Sequence, residues 1–243
     1  MLDRYYPVLE DNVRFRNGTV PFYKWFLEAL SHADAAVLNV GAGPTPEPAR
    51  QLRGKVKHLV GIDPDARVLN NTDLDEARLF DGVHIPFESG TFAGVFCDWT
   101  LEHVQHPTEL VQEVHRVLKP GGSFWFRTPN LYHYSFLASY IIPSRFHNRI
   151  ANFVQGVPQN ARPHWPTYYR MNTAKRIQRI ISKTGFEACE IRHLEPEPCY
   201  FNFSRLFFFG GVGYERLVNR YAELAQLRAI LIGKATKAAD TAV

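Results

Sequence analysis

The sequence predicts an α/β chain built on a seven-stranded, mostly parallel sheet with helices on both faces, plus helical, aromatic-rich insertions after the fifth and sixth strands. Three observations predict it. Short apolar runs alternate with amphipathic stretches, the pattern of parallel strands joined by helices. The first run stops at a glycine turn and the second ends in an acid, as at the ligand edge of a doubly wound sheet. Two long segments, 129–172 and 194–225, break the alternation and read as insertions.

Residues 1–35 read as a helical lead-in to a single domain over 1–243: Phe22, Phe26, Ala29 and Leu30 share a face, and Pro21 suits a first helical turn. Ala36-Ala-Val-Leu-Asn-Val40 is the first buried strand, closed by Gly41-Ala-Gly-Pro44. Residues 46–53 form a short helix candidate. The second strand is His58–Asp63, ending before Pro64. The third is Ala77–Phe80, followed by Asp81-Gly82, and the fourth is Phe92–Cys97. Leu110, Val111, Val114, Val117 and Leu118 then recur at helical spacing, and Lys119-Pro120-Gly121-Gly122 stops that helix. Ser123–Thr128 is the fifth strand. Thr173 is placed to cap a helix with Ile177, Ile180 and Ile181 inward, stopped by Gly185. Residues 186–193 and 227–236 supply two closing strands.

Composition narrows the function. The chain has 243 residues, 45% hydrophobic and 21% charged, which is enough for a sizeable core and excludes a disordered or collagenous chain. A formal charge of +4, with no run of five like charges, does not provide an electrostatic grip on nucleic acid. Cys97, Cys189 and Cys199 are too few and too dispersed for a disulfide framework. The first residues lack a signal-peptide pattern, and no apolar stretch reaches the ~18 residues of a spanning helix, so a cytoplasmic globular protein is expected. Aromatic residues, at 14%, are the outlier.

Gly41 and Gly43 allow close backbone approach to a ligand, and Asp63, at the end of the second strand, can accept both hydroxyls of a ribose. An adenosine-containing ligand is the expectation. A dinucleotide fingerprint wants a third glycine where the chain has Pro46, and Pro44, Pro46 and Pro48 remove N–H groups that a pyrophosphate would use. The turn therefore suits an uncharged or zwitterionic tail better than a phosphate. A nicotinamide-dependent dehydrogenase is the weaker alternative.

Further motifs follow in order: Asp81-Gly-Val-His-Ile-Pro-Phe87, Phe92-Ala-Gly-Val-Phe-Cys-Asp-Trp-Thr-Leu-Glu-His103, and Glu113-Val-His-Arg-Val-Leu-Lys-Pro-Gly-Gly122. Together with the glycine turn they resemble the class I, Rossmann-like, S-adenosylmethionine-dependent methyltransferases of the small-molecule (methyltransferase type 11-like) kind. The resemblance covers about residues 36–130, and extends to 165–193 through Tyr168-Tyr-Arg-Met-Asn-Thr173. It implies that Asn39, Gly41, Ala42 and Gly43 wrap the methionine portion of S-adenosyl-L-methionine. Asp63 and Pro64 would lie at the ribose, Asp81 and Gly82 at the adenine, and Cys97, Asp98 and Trp99 along the methyl-donor side. A turn-forming Asp-Gly pair is the alternative reading of Asp81. The chain departs from the family at Asn39, where an acid is usual, and at Thr45, which replaces a glycine. An amide there supplies no charge for the cofactor's ammonium group, so a non-catalytic binding or scaffold module is a second alternative.

The resemblance implies methyl transfer to a small-molecule acceptor, with a hydroxyl on a sugar, lipid-linked or natural-product substrate as the leading choice. Such an oxygen wants a base, and His103, His133 and His164 are the candidates. Trp99, His133, Tyr134, His164, Tyr168 and Tyr169 are the candidate acceptor contacts. Residues 131–169 hold nine Phe, Tyr or Trp and three His, a composition suited to an aromatic lid or to ordinary core. No metal-ligand spacing stands out. Peripheral membrane contact, as a monomer or a homodimer, is compatible with the apolar run around Phe207.

Overall fold

In the computed structural model, residues 6, 18–30, 35–44, 52–141, 165–198 and 204–239 are described. The elements in chain order are α1 (Thr19–Ala29), β1 (Ala36–Val40), β2 (His58–Asp63), β3 (Glu76–Leu79), β4 (Phe92–Asp98), α2 (Pro107–Val117), β5 (Leu118–Pro129), α3 (Tyr134–Ile141), α4 (Ala174–Lys183), β6 (Phe186–Leu194), α5 (Arg205–Arg220) and β7 (Ile230–Lys237). Single 3₁₀ turns cover Ala66–Asn70, Leu101–His103 and Ala222–Leu227. The strands form one sheet in the order β3-β2-β1-β4-β5-β7-β6. The pairings β1–β2, β2–β3, β1–β4 and β4–β5 are all parallel. The sheet is the expected Rossmann-like one.

The chain steps from β1 to β2 on one side, while β4 lies against β1 on the other. This reversal opens a crevice at the carboxyl ends of β1 and β4, where open α/β sheets place ligands. Val40 pairs with both Ile62 and Cys97, so the glycine turn leaves the sheet between the ends of β2 and β4.

Two compact units divide the chain. The larger comprises Phe22–Thr128, Thr167–Arg192 and Ile232–Val243; the smaller comprises Met1–Pro21, Pro129–Pro166 and His193–Leu231. The larger unit has an aromatic core. Trp25 and Phe26 of α1 meet Trp125 of β5 edge-on at 4.9 and 5.3 Å, and Phe26 meets Phe96 of β4 at 5.5 Å. Such edge-to-face pairs add about 0.5–1.5 kcal/mol each beyond their buried area. Part of the aromatic surplus is therefore core beneath α1, including Phe22 and Phe96. Phe124 and Phe126 lie on the opposite face of β5 from Trp125, where Phe124 packs with Phe126 and Phe186. Phe22, Phe96, Phe124 and Phe126 are all fully buried.

Most strand bounds agree with the sequence pattern, and the chief difference is β5. It begins at Leu118, so the Lys-Pro-Gly-Gly stretch lies within the strand. Gly121, at φ 73°, donates its N–H to the carbonyl of Ala238, and a register shift opposite Phe92–Gly94 absorbs the irregularity. Thr173 caps α4 as its spacing predicts, accepting from Arg176 N. The helix candidate over 46–53 falls mainly outside the described residues. No described helix is long and apolar enough to cross a membrane.

Candidate functional site

The site begins with the turn after β1. Gly41 and Ala42 both donate their N–H to the carbonyl of Ile62, which holds the turn against β2. Gly41 lies at φ 80°, and a Cβ there would fall 2.3 Å from Thr100 Oγ1. Thr100 in turn donates to the carbonyl of Val40 at 3.1 Å, so the turn after β4 is clasped to the turn after β1. Gly43, at φ 61°, is different: a Cβ added there meets nothing within 4 Å among the described residues.

Asp63, at the end of β2, faces this turn. Its Oδ2 accepts the Gly43 N–H at 2.9 Å and its Oδ1 accepts the Asp65 N–H at 2.8 Å. An ionised carboxylate has about four acceptor positions, so the two N–H groups fix its orientation and leave capacity for a diol. Pro64 beside it is exposed. Asn71 closes the turn from the other side, donating to the carbonyl of Gly43 at 3.2 Å.

Asn39 lies two residues before Gly41 and is fully buried, and among the described residues neither its amide nitrogen nor its carbonyl oxygen has a hydrogen-bond partner. A buried amide left unpaired costs about 1–3 kcal/mol. A zwitterionic ligand seated in the turn is the kind of group that would relieve it. With the open cradle at Gly43 and the oriented Asp63, these residues fit S-adenosylmethionine.

Asp81 follows β3, where the Phe80 N–H donates to the carbonyl of Asp63. It is exposed, and its carboxylate accepts from Val83 N at 2.8 Å, from His84 N at 2.7 Å and from the His84 ring at 2.8 Å. The His84 contact, followed by the two N–H groups, holds its carboxyl at about 2. Asp81 is thus a turn-forming residue here, with Gly82 at φ 92° supplying the bend and open space beside it.

Cys97, Asp98 and Trp99 form the end of β4. Cys97 is buried, and burial pushes its thiol well up, so it is no thiolate nucleophile. Asp98 is committed to structure: Arg127 of β5 donates to both of its oxygens, at 2.5 and 2.7 Å, and the Tyr23 hydroxyl of α1 donates at 2.7 Å. Trp99 takes φ 54°, a rare value for a bulky residue, and its N–H donates to the carbonyl of Arg127. Backbone strain of this kind clusters at functional sites.

Next comes Glu102, which the sequence reading did not single out. It is only 5% exposed, and burial pushes its carboxyl up from 4.5 to about 7. Thr128 donates its hydroxyl to Glu102 Oε2 at 3.0 Å, and Asn172 donates to Thr128 Oγ1 at 2.7 Å. The carbonyl of Glu102 accepts from the N–H groups of Tyr168 and Tyr169. One buried glutamate therefore joins the turn after β4, the end of β5 and the segment before α4. The local sequence, Asp98-Trp-Thr-Leu-Glu-His-Val-Gln-His106, is mixed in polarity and carries no signal that Glu102 is buried.

His103 ends the same 3₁₀ turn and is partly exposed. The 168–169 segment, where Tyr169 is buried at φ 50°, is thereby placed beside that turn. His133 and Tyr134 belong to the smaller unit. His133 is 1% exposed, with its Nδ1 2.6 Å from Ser135 Oγ and its Nε2 3.4 Å from a Glu195 carboxylate oxygen. Its ring packs with Tyr134 and Tyr214 at 4.1 and 5.5 Å. This is the environment of a packing residue. His164 lies outside the described residues. Among the described residues no cluster of His, Cys, Asp or Glu could hold a metal ion.

Residues 38–126 match a family model described as a methyltransferase domain. A ubiquinone biosynthesis O-methyltransferase from Pseudomonas putida is 32% identical over 118 residues, covering 44% of this chain and 49% of the relative. A demethylmenaquinone methyltransferase from Symbiobacterium thermophilum is 38% identical over 52 residues, 21% of each chain. The matches thus span about half or less of the length of these curated relatives. Among solved structures, Haemonchus contortus phosphoethanolamine N-methyltransferase 2 in complex with S-adenosyl-L-methionine aligns with a TM-score of 0.58 at 17% identity, over 91% of this chain and 52% of that one. The YcgJ protein of Bacillus subtilis aligns at 0.56 and 15% identity, over 90% of this chain and 99% of that one. Residues 38–126 are therefore similar to a methyltransferase-domain family, and the chain shares its fold with these solved structures.

Proposed function

We propose that the chain transfers the methyl group of S-adenosylmethionine to a hydroxyl of a small acceptor, with a lipid-linked phenol or quinol as the leading class. The observation that carries the cofactor reading is the buried, unpartnered Asn39 beside a glycine turn that is open at Gly43 and faced by the oriented carboxylate of Asp63. The relative named as a ubiquinone biosynthesis O-methyltransferase supports the choice of a hydroxyl acceptor, and it and the demethylmenaquinone methyltransferase support the quinone-type class.

The cofactor supplies an electrophilic methyl group on a sulfonium, so the protein's task is alignment and exclusion of water. Asn39 and the Gly41–Gly43 turn hold the amino-acid end. Asp63 accepts the ribose hydroxyls, and Asp81 and Gly82 border the adenine. Trp99 shields the donor side, held in place by its bond to Arg127. His103 takes the acceptor's proton, and Tyr168 and Tyr169 line the acceptor beside it. His133 braces the smaller unit. The expected compartment is the cytoplasm.

Calorimetry with S-adenosylmethionine and S-adenosylhomocysteine tests the reading. Micromolar-range binding of both is expected, with loss in Asp63→Ala, followed by label transfer from methyl-tritiated cofactor to a prenylated catechol and loss of turnover in His103→Ala. Absence of heat with either ligand overturns the methyltransferase reading. Binding without turnover across sugars, phenols and quinols indicates a non-catalytic module.

A further inference from the structure

Helix α5 turns an apolar face outward. Leu206, Gly210, Gly213 and Leu217 recur at intervals of four, three and four, which places them on one side of the helix. Leu206 is 79% exposed and Leu217 49%, and Phe207 and Phe209 are about half exposed on the flanks. The opposite side is already used: Phe208, Gly211, Val212 and Val218 are buried, with Tyr6 packed on Phe208 and Val212.

Charge is divided the same way. Arg205, Arg216 and Arg220 are all exposed and run along one border of the outward face. The helix's one acid, Glu215, lies on the inward side, where it accepts from the Tyr6 hydroxyl at 3.0 Å and from Asn219 at 2.7 Å. An outward face of leucine and glycine edged by arginine, with no acid, has the make-up of a helix lying in the plane of a lipid interface. Sixteen residues are too short to span a bilayer.

We propose that this face of α5 docks the chain on an anionic lipid surface. Leu206 and Leu217 enter the boundary between headgroups and acyl chains, and the three arginines pair with lipid phosphates. A second copy of the chain is the poorer occupant. A symmetric pair uses the same patch twice, so it would bring six arginines to one interface with no acid on that face to receive them. The inference stands independently of the methyltransferase reading.

Co-sedimentation of the full chain with vesicles tests it. Binding to phosphatidylcholine vesicles containing phosphatidylglycerol is expected at about 0.15 M salt, weakening as salt rises. Phosphatidylcholine alone should bind less. The double variant Leu206→Glu, Leu217→Glu is expected to bind about ten-fold or more weakly, and replacing the three arginines by glutamine should remove the preference for anionic lipid. All five positions are exposed, so folding is checked by circular dichroism, and retained S-adenosylhomocysteine binding reads the other site separately. The proposal is overturned if the wild-type chain ignores anionic vesicles or if the leucine variant binds them unchanged. It is equally overturned if the leucines instead support a concentration-dependent dimer with no lipid binding.

Discussion

At the scale of single residues, burial decides which polar side chains are free for chemistry. Asp98 and Asp63 both end strands, yet Asp98 is consumed by Arg127 and Tyr23, while Asp63 keeps accepting capacity toward the turn. Glu102 carries a testable consequence. Its folded-state value of about 7, against an ordinary 4.5, means that the native state retains a proton the unfolded chain has already lost. Stability is therefore fully present below about pH 4.5 and falls as pH rises through about 7, by on the order of 3 kcal/mol. Glu102→Gln should keep the bond from Thr128 and abolish this slope. Urea unfolding is expected to show the variant near the parent at about pH 4 and clearly more stable at about pH 8. Equal slopes in the two proteins would show that the carboxyl titrates normally. The orphaned amide of Asn39 was legible in the sequence only as a departure from an acid; that it is buried and unpartnered is a fact of packing.

At the scale of elements, the turn between β1 and β2 separates two glycines that look alike in the sequence. Both occupy the left-handed region, but the space around them differs. Gly41→Ala would drive a methyl into Thr100 and loosen its clasp on Val40, so a loss of about 2–4 kcal/mol of stability is expected. Gly43→Ala should cost only about 1 kcal/mol, the left-handed penalty of a side chain. Its methyl enters the open cradle, so S-adenosylhomocysteine binding should weaken while the fold persists. Thermal unfolding together with calorimetry distinguishes the two, and comparable stability losses would refute the contrast. The strands themselves were readable because each is a short apolar run bounded by turn residues. β1 and β2 begin and end where those runs do, while β5 exceeds its run because pairing with neighbours carries it through Lys119 to Gly122. Local sequence cannot show that extension, since a Pro-Gly-Gly stretch is locally a breaker.

At the scale of the whole molecule, ligand binding and stability are linked. A ligand that binds only the folded chain stabilises it by about 2.7 kcal/mol at a hundred times its dissociation constant. S-adenosylhomocysteine at that excess should shift the urea midpoint accordingly in the wild type and leave it unmoved in Asp63→Ala. The aromatic excess of the composition also resolves at this scale. Part of it fills the core between α1 and the sheet, part packs on the opposite face of β5, and part surrounds His133. The sequence by itself determined the α/β alternation, the position of the glycine turn and the acid that follows it, because periodicity and turn chemistry are local properties. Only the tertiary structure decided that Asp98 is structural, that Asp81 holds its own turn, that Glu102 is buried across three segments and that the leucines of α5 face outward. Those outcomes depend on which distant residues fill the space around a side chain, and no local pattern encodes that.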